Sequence, residues 1–206
     1  MIDVTHQINA VQRRVGRRLL AAGEARVVTV SRSYPGPVED LWDACTNPER
    51  LPRWFLPVTG ELKVGGHYQL EGNAGGTVES CDPPNSFAAT WEYGGEVSWI
   101  EVSLTAEGEH TRLTLEHIAH VDDERWAEFG PGAVGVGWDL GLLGLARHLE
   151  TGADLDPEDR WMASPEGARF MTGSSEAWYD AAVACGADPA AARAAADRTT
   201  AAYTAG

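Results

Sequence analysis

Basic residues are scarce in this chain: 16 lysines and arginines face 31 aspartates and glutamates, a formal charge of −15 over 206 residues. Such a surface repels phosphate backbones and anionic headgroups, so nucleic acid is not an expected partner. Cysteine is scarcer still. Cys45, Cys81 and Cys185 are odd in number, scattered and never in a CxxC pair, which indicates neither a disulfide framework nor a zinc site. Long apolar runs are missing too. The richest stretch, Ala133 to Glu150, contains Asp139, Arg147 and several glycines and falls short of the roughly 20 apolar residues of a spanning helix, so stable membrane insertion is not expected. The N-terminus has polar residues and arginines where a signal peptide has an apolar core, which points to the cytoplasm. GxSxG, Walker and HExxH motifs are absent. Gly130 to Gly135 matches GxGxxG in letters but follows a polar helical segment instead of a buried strand. His117 and His120 spell HxxH, yet on a strand the two point to opposite faces. No metal or cofactor is therefore expected.

What is present suits one sizeable core, since two independent domains would be crowded at this length. Eight tryptophans are many for such a chain and suggest an aromatic-rich interior or pocket. The organising stretch is Ala133 to Glu150. Val134, Trp138, Leu142, Leu145 and Leu149 recur at helical spacing and form one face of a long helix. Gly137, Gly141 and Gly144 make a second stripe; each interior glycine costs about 1 kcal/mol against alanine, so either tight packing or room for a ligand should offset it.

Residues 6 to 21 read as an amphipathic helix, with Ile8, Val11, Val15 and Leu19 on one face. Glu24 to Ser33 is a strand rich in β-branched residues, stopped by Tyr34-Pro35-Gly36-Pro37. Two short helices follow, from Val38 to Cys45 and from Glu49 to Phe55. Glu61 to His120 then reads as an antiparallel meander with period-two patterns between Gly-rich turns. Phe87, Ala89, Trp91 and Tyr93 share one strand face, as do Leu113, Leu115 and His117; Trp99 lies on the supposed wet face and needs a cover. After the long helix, Ser164-Pro165-Glu166, Ser174-Ser175-Glu176 and Asp188-Pro189 are three helix-start signals.

This order, with Pro37 to Trp42, Asn47 to Phe55, Gly65-Gly66-His67-Tyr68, Cys81 to Pro84, Thr90-Trp91, Thr111 to His117 and Gly137-Trp138, resembles the START-like (SRPBCC) superfamily. Within it the chain is most similar to bacterial proteins related to the activator of the heat-shock-protein ATPase. The resemblance covers roughly residues 25 to 150 and implies an α+β helix-grip fold, a curved antiparallel sheet wrapped around the long C-terminal helix with a pocket between them. The domain would run from 25 to 150, with an N-terminal helical extension at 1 to 24 and a C-terminal helical extension at 151 to 206.

Strand parity, helical face and the implied fold nominate Trp54, Phe55, Tyr68, Trp91, Leu115, His117, Trp138, Leu142 and Leu145 as the cavity lining. The same residues could equally fill a core. His117 is the sharpest of them, because an imidazole among leucines needs a partner or a ligand atom. The resulting expectation is a protein that binds a small hydrophobic molecule. A cyclase- or aromatase-like enzyme using the same cavity and a co-chaperone-like interaction module are the alternatives, and a protein partner or homo-oligomer is compatible with each. A second polar group beside His117 would favour catalysis.

Overall fold

The computed structural model describes residues 3–152, 154 and 161–205. Helix α1 (Val4–Asn9) leads into strands β1 (Gln12–Leu20) and β2 (Gly23–Pro35), then helix α2 (Val38–Thr46) and a 3₁₀ turn at Leu51–Arg53. Strands β3 (Val58–Gly60), β4 (His67–Leu70), β5 (Gly75–Asp82), β6 (Ser86–Tyr93), β7 (Glu96–Glu107) and β8 (His110–Ala119) follow. Helices α3 (Asp123–Phe129), α4 (Gly132–Thr151), α5 (Pro165–Ala184) and α6 (Pro189–Thr204) complete the chain. The strands join in the order β1-β2-β8-β7-β6-β5-β4-β3, antiparallel throughout β3 to β8. The fold is the helix-grip α+β class. Two compact units divide the chain: one takes Met1–Val30, His120–Leu140 and Asp156–Gly206, the other Ser31–Ala119 and Gly141–Leu155. The start of the C-terminal extension, at 155–160, lies outside the described residues.

In the second unit, period-two patterning sets the register. Leu113, Leu115 and His117 of β8 stand opposite Leu104, Val102 and Ile100 of β7, so one face of the sheet is continuous and buried. Phe87 of β6 faces Val102 on that same side and meets the Trp42 ring of α2 edge-on at 6.0 Å. Trp99, on the opposite face, is half-buried beside the buried Ile118, so that end of the outer face is not open to water. The C-terminal half of α4 is held by two contacts. Tyr34 donates its hydroxyl proton to the Leu142 carbonyl at 3.1 Å, and the Trp54 carbonyl comes so close to Gly144 that a Cβ there would sit 2.4 Å from it. The expected helix from Glu49 to Phe55 is only the short 3₁₀ turn, because Pro52 has no N–H to continue an α-helical ladder.

In the first unit the N-terminal extension departs from expectation. Residues 6 to 21 are not one helix: α1 ends at Asn9 and β1 begins at Gln12. Gly16 weakens a helix by about 1 kcal/mol, Val11 and Val15 favour extended backbone, and β2 offers hydrogen-bonding neighbours that the local sequence cannot announce. Leu19, expected inside, is 83% exposed. Arg13, which is not on the Ile8, Val11, Val15 and Leu19 face of that reading, turns inward: its Nε donates to Asp139 of α4 at 2.9 Å and its Nη1 to the Ile8 and Val11 carbonyls. Ser174 and Trp178 of α5 donate to the same carboxylate oxygen. Burial pushes the Asp139 carboxyl above the usual range, and the Arg13, Ser174 and Trp178 contacts hold it partly back.

This network also explains the missing third C-terminal helix. Ser174 and Ser175, read as a helix start, lie buried inside α5, where the Ser174 hydroxyl binds Asp139 instead of capping. Ser164 and Asp188 do cap, accepting from the Gly167 and Ala191 amides. In α4 the apolar stripe is also broader than expected. Val134 is exposed, whereas Val136, Asp139, Leu143 and Ala146 are buried along with Leu142 and Leu145.

Two stability predictions follow from these contacts. Asp139→Ala should cost roughly 3–5 kcal/mol by leaving Arg13 buried without its partner, while the double variant Arg13→Met/Asp139→Leu should regain most of the loss; urea denaturation reads both. Along α4, Gly144→Ala should cost about 1–3 kcal/mol by driving a methyl into the Trp54 carbonyl. Gly141→Ala, whose Cβ would meet the Phe55 ring at an ordinary 3.6 Å, should be neutral or stabilising by up to about 1 kcal/mol.

Candidate functional site

The inner face of the sheet collects four of the nominated residues. Trp91 of β6 and His117 of β8 stack at a tilt with ring centroids 6.3 Å apart. Leu115 is two residues from His117 on the same face and is buried. Tyr68 of β4 pairs with Gly76 of β5 and sends its hydroxyl to the Thr90 carbonyl at 2.6 Å, which ties its ring to β6. Burial, with some help from Glu92, pushes the Tyr68 phenol up to about 12, so it stays protonated and donates at every physiological pH.

His117 has a partner that the sequence reading overlooked. Its Nε2 lies 2.9 Å from the Ser98 Oγ, and that hydroxyl in turn donates to the Trp91 carbonyl at 3.0 Å. Because the hydroxyl has one proton and spends it on the carbonyl, Ser98 accepts from His117, and the neutral imidazole carries its proton on Nε2. Burial drives the His117 pKa down to about 4, so the ring is uncharged at neutral pH. Parity alone puts Ser98 on the face of Ile100 in β7; that it meets Trp91 and His117 follows only from the strand register.

Four further nominees gather around the C-terminal half of α4. Trp54 and Phe55 lie ring against ring with centroids 5.5 Å apart, and the Trp54 indole donates to the Ala44 carbonyl at 2.8 Å. Gly141 and Gly144 open α4 to them, while Leu142 and Leu145 are buried on the same half of the helix. Arg50 links this corner further, donating from Nε to His148 Nε2 at 3.2 Å and from Nη1 to Asp40 and Asp43. The ninth nominee, Trp138, belongs to the other unit and is half-buried. Burial pushes the Cys45 thiol up to about 12, so it stays protonated at neutral pH. Among the described residues no group of three or more His, Cys, Asp or Glu side chains is placed to hold a metal ion. Among them, too, no single helix is long and apolar enough to cross a membrane.

Comparison with known proteins agrees with this architecture. The profile of the family described as "Activator of Hsp90 ATPase homolog 1-like protein" matches residues 35–150. The crystal structure of CalU16 from Micromonospora echinospora is 35% identical, over 84% of this chain and 98% of CalU16, with a TM-score of 0.69. Its solution structure is 36% identical, over 86% and 97%, with a TM-score of 0.71. DynU16, from the dynemicin biosynthetic locus, is 25% identical over 62% of this chain and 48% of its own, with a TM-score of 0.55. The Aha1 dimer from Colwellia psychrerythraea, 17% identical over 61% of this chain and 97% of that one at a TM-score of 0.50, shares the fold alone. No curated protein sequence matches. The resemblance carried by Pro37 to Trp42, Asn47 to Phe55 and the later motifs therefore holds, and the domain is of the ligand-binding type. The chain belongs to the Activator of Hsp90 ATPase homolog 1-like family, within the START-like helix-grip fold.

Proposed function

We propose that the chain binds a small hydrophobic molecule between the inner face of its sheet and α4. Trp91, Leu115, His117 and Tyr68 would line it from the sheet, and Trp54, Phe55, Leu142 and Leu145 from the helix side. The observation that carries this reading is the neutral, internally bonded state of the polar groups on that face. His117 donates a hydrogen bond to Ser98, Ser98 to the Trp91 carbonyl and Tyr68 to the Thr90 carbonyl, so an apolar guest meets aromatic rings without stripping a charge of its water. DynU16 is described as a protein of a biosynthetic locus, a setting in which a small-molecule-binding relative would have a use.

One observation favours a cyclase-like enzyme as the second reading: Ser98 places a polar group beside His117, as catalysis requires. The direction of the proton chain argues against it. A serine activated by histidine donates its hydrogen bond to the imidazole, whereas here the Ser98 hydroxyl donates to the Trp91 carbonyl and accepts from the imidazole.

An apolar fluorescent probe titrated into the protein tests the binding reading. The wild type should bind it with a change in tryptophan emission, and Leu142→Trp should abolish binding at little cost in stability. If the wild type binds no probe and Leu142→Trp is destabilised by the ~1–3 kcal/mol typical of an overpacked core, the aromatics are core alone. His117 supplies a second check through pH. Its folded pKa of about 4 lies below the ordinary value near 6.5, so its contribution is complete above about pH 6.5 and is lost as pH falls toward 4, where the unfolded chain takes up a proton that the folded chain refuses. Between pH 7 and pH 5 this should amount to about 2 kcal/mol. Urea denaturation of wild type and His117→Gln at both values should show that part of the pH dependence vanish in the variant.

A further inference from the structure

We propose that the first unit carries a binding site of its own, for a small neutral aromatic molecule, between α3, the start of α4, α5 and α6. The cavity there has a volume of about 170 Å³. An apolar cavity of roughly 150 Å³ is enough to hold benzene, so the space matches one aromatic ring with a single substituent. Trp126 and Phe129 of α3 and Trp178 and Tyr179 of α5 supply aromatic walls, and a stripe of α6 alanines including Ala192 and Ala195 leaves the room between them. Among the described residues no charged side chain lines it, so a carboxylate buried there would find no counter-charge, which selects against anions.

A polar handle is built into the wall. Ser175 lines the cavity, is 1% exposed, and its Oγ has no hydrogen-bond partner among the described residues. Buried hydroxyls are ordinarily satisfied, and the adjacent Ser174 is, through Asp139. A guest with one hydrogen-bonding substituent would supply what Ser175 lacks. The wall beside it is fixed in advance. The Trp178 indole donates to Asp139 at 3.1 Å, and its ring sits where a Cβ on Gly135 would come within 2.2 Å, so only a glycine at that position of α4 admits it. Most of the lining comes from residues beyond the family-matched segment 35–150, which makes the site a property of the C-terminal extension and separate from the sheet-and-helix site proposed above.

The test is a titration of the intact protein with phenol, followed by the indole N–H resonances of Trp126 and Trp178, with toluene and benzoate as comparisons. Phenol should move both resonances saturably, toluene more weakly, and benzoate not at all. Ser175→Ala should weaken phenol about two- to tenfold, the value of one hydrogen bond, and leave toluene unchanged. Ala192→Leu should abolish phenol binding; should that variant not fold, Ala191→Leu at the exposed rim of the same cavity serves in its place. Leu142→Trp, which alters the other proposed site, should leave the phenol response intact. The proposal is overturned if phenol moves neither resonance, if Ser175→Ala weakens phenol and toluene alike, or if Ala191→Leu leaves phenol binding unchanged.

Discussion

Helix α4 can be buried on so many sides only because it lacks side chains where its neighbours come closest. The Trp178 ring occupies the place of a Cβ at Gly135, and the Trp54 carbonyl occupies the place of one at Gly144. Each contact belongs to its own unit, Gly135 to the first and Gly144 to the second. Interior glycines weaken an isolated helix by about 1 kcal/mol each, and the loss is offset only in the folded chain, where aromatic and backbone atoms fill the vacated space. The glycine stripe thus has a mixed explanation. Gly135 and Gly144 are required by contact, whereas Gly141 meets Phe55 at ordinary van der Waals distance.

The second feature common to both units is how buried polar groups are kept in order. In the first unit a charged pair, Arg13 and Asp139, is taken out of water and shared with Ser174 and Trp178. Removing two charges from water is expensive, and their attraction returns little net stability; what the pair supplies is a specific tie between β1 and α4, 126 positions apart in the chain. In the second unit the groups are neutral. His117, Ser98 and the Trp91 carbonyl form a chain of donors and acceptors within the sheet, and Tyr68 is tied to Thr90 in the same way. A face organised like this offers aromatic surface without unsatisfied charge, which suits an apolar guest more than proton-transfer chemistry.

Local patterning made much of the molecule legible. The meander was readable from period-two alternation between Gly-rich turns, and the face shared by Phe87, Ala89 and Trp91 appears in the register against Val102, Ile100 and Ser98. Ser164 and Asp188 cap helices, as residues that compete for backbone amides tend to do. Ordered motifs from Pro37 to Trp138 were enough to identify the family, since they mark turns and packing positions dispersed over a whole domain.

What only the tertiary structure decided are the places where a distant partner outweighs a local preference. Residues 12–20 carry a helical apolar spacing, yet they form β1 because β2 lies alongside and Arg13 finds Asp139, 126 positions away. Ser174-Ser175 spell a helix start, yet α5 runs through them because the same carboxylate takes the Ser174 hydroxyl. Ser98 was passed over beside Trp99 because its role depends on which strand pairs with β7 and in what register. Period and capping chemistry are properties of neighbours in sequence; pairing, buried charge and the small stripe of α6 that leaves a cavity are properties of neighbours in space.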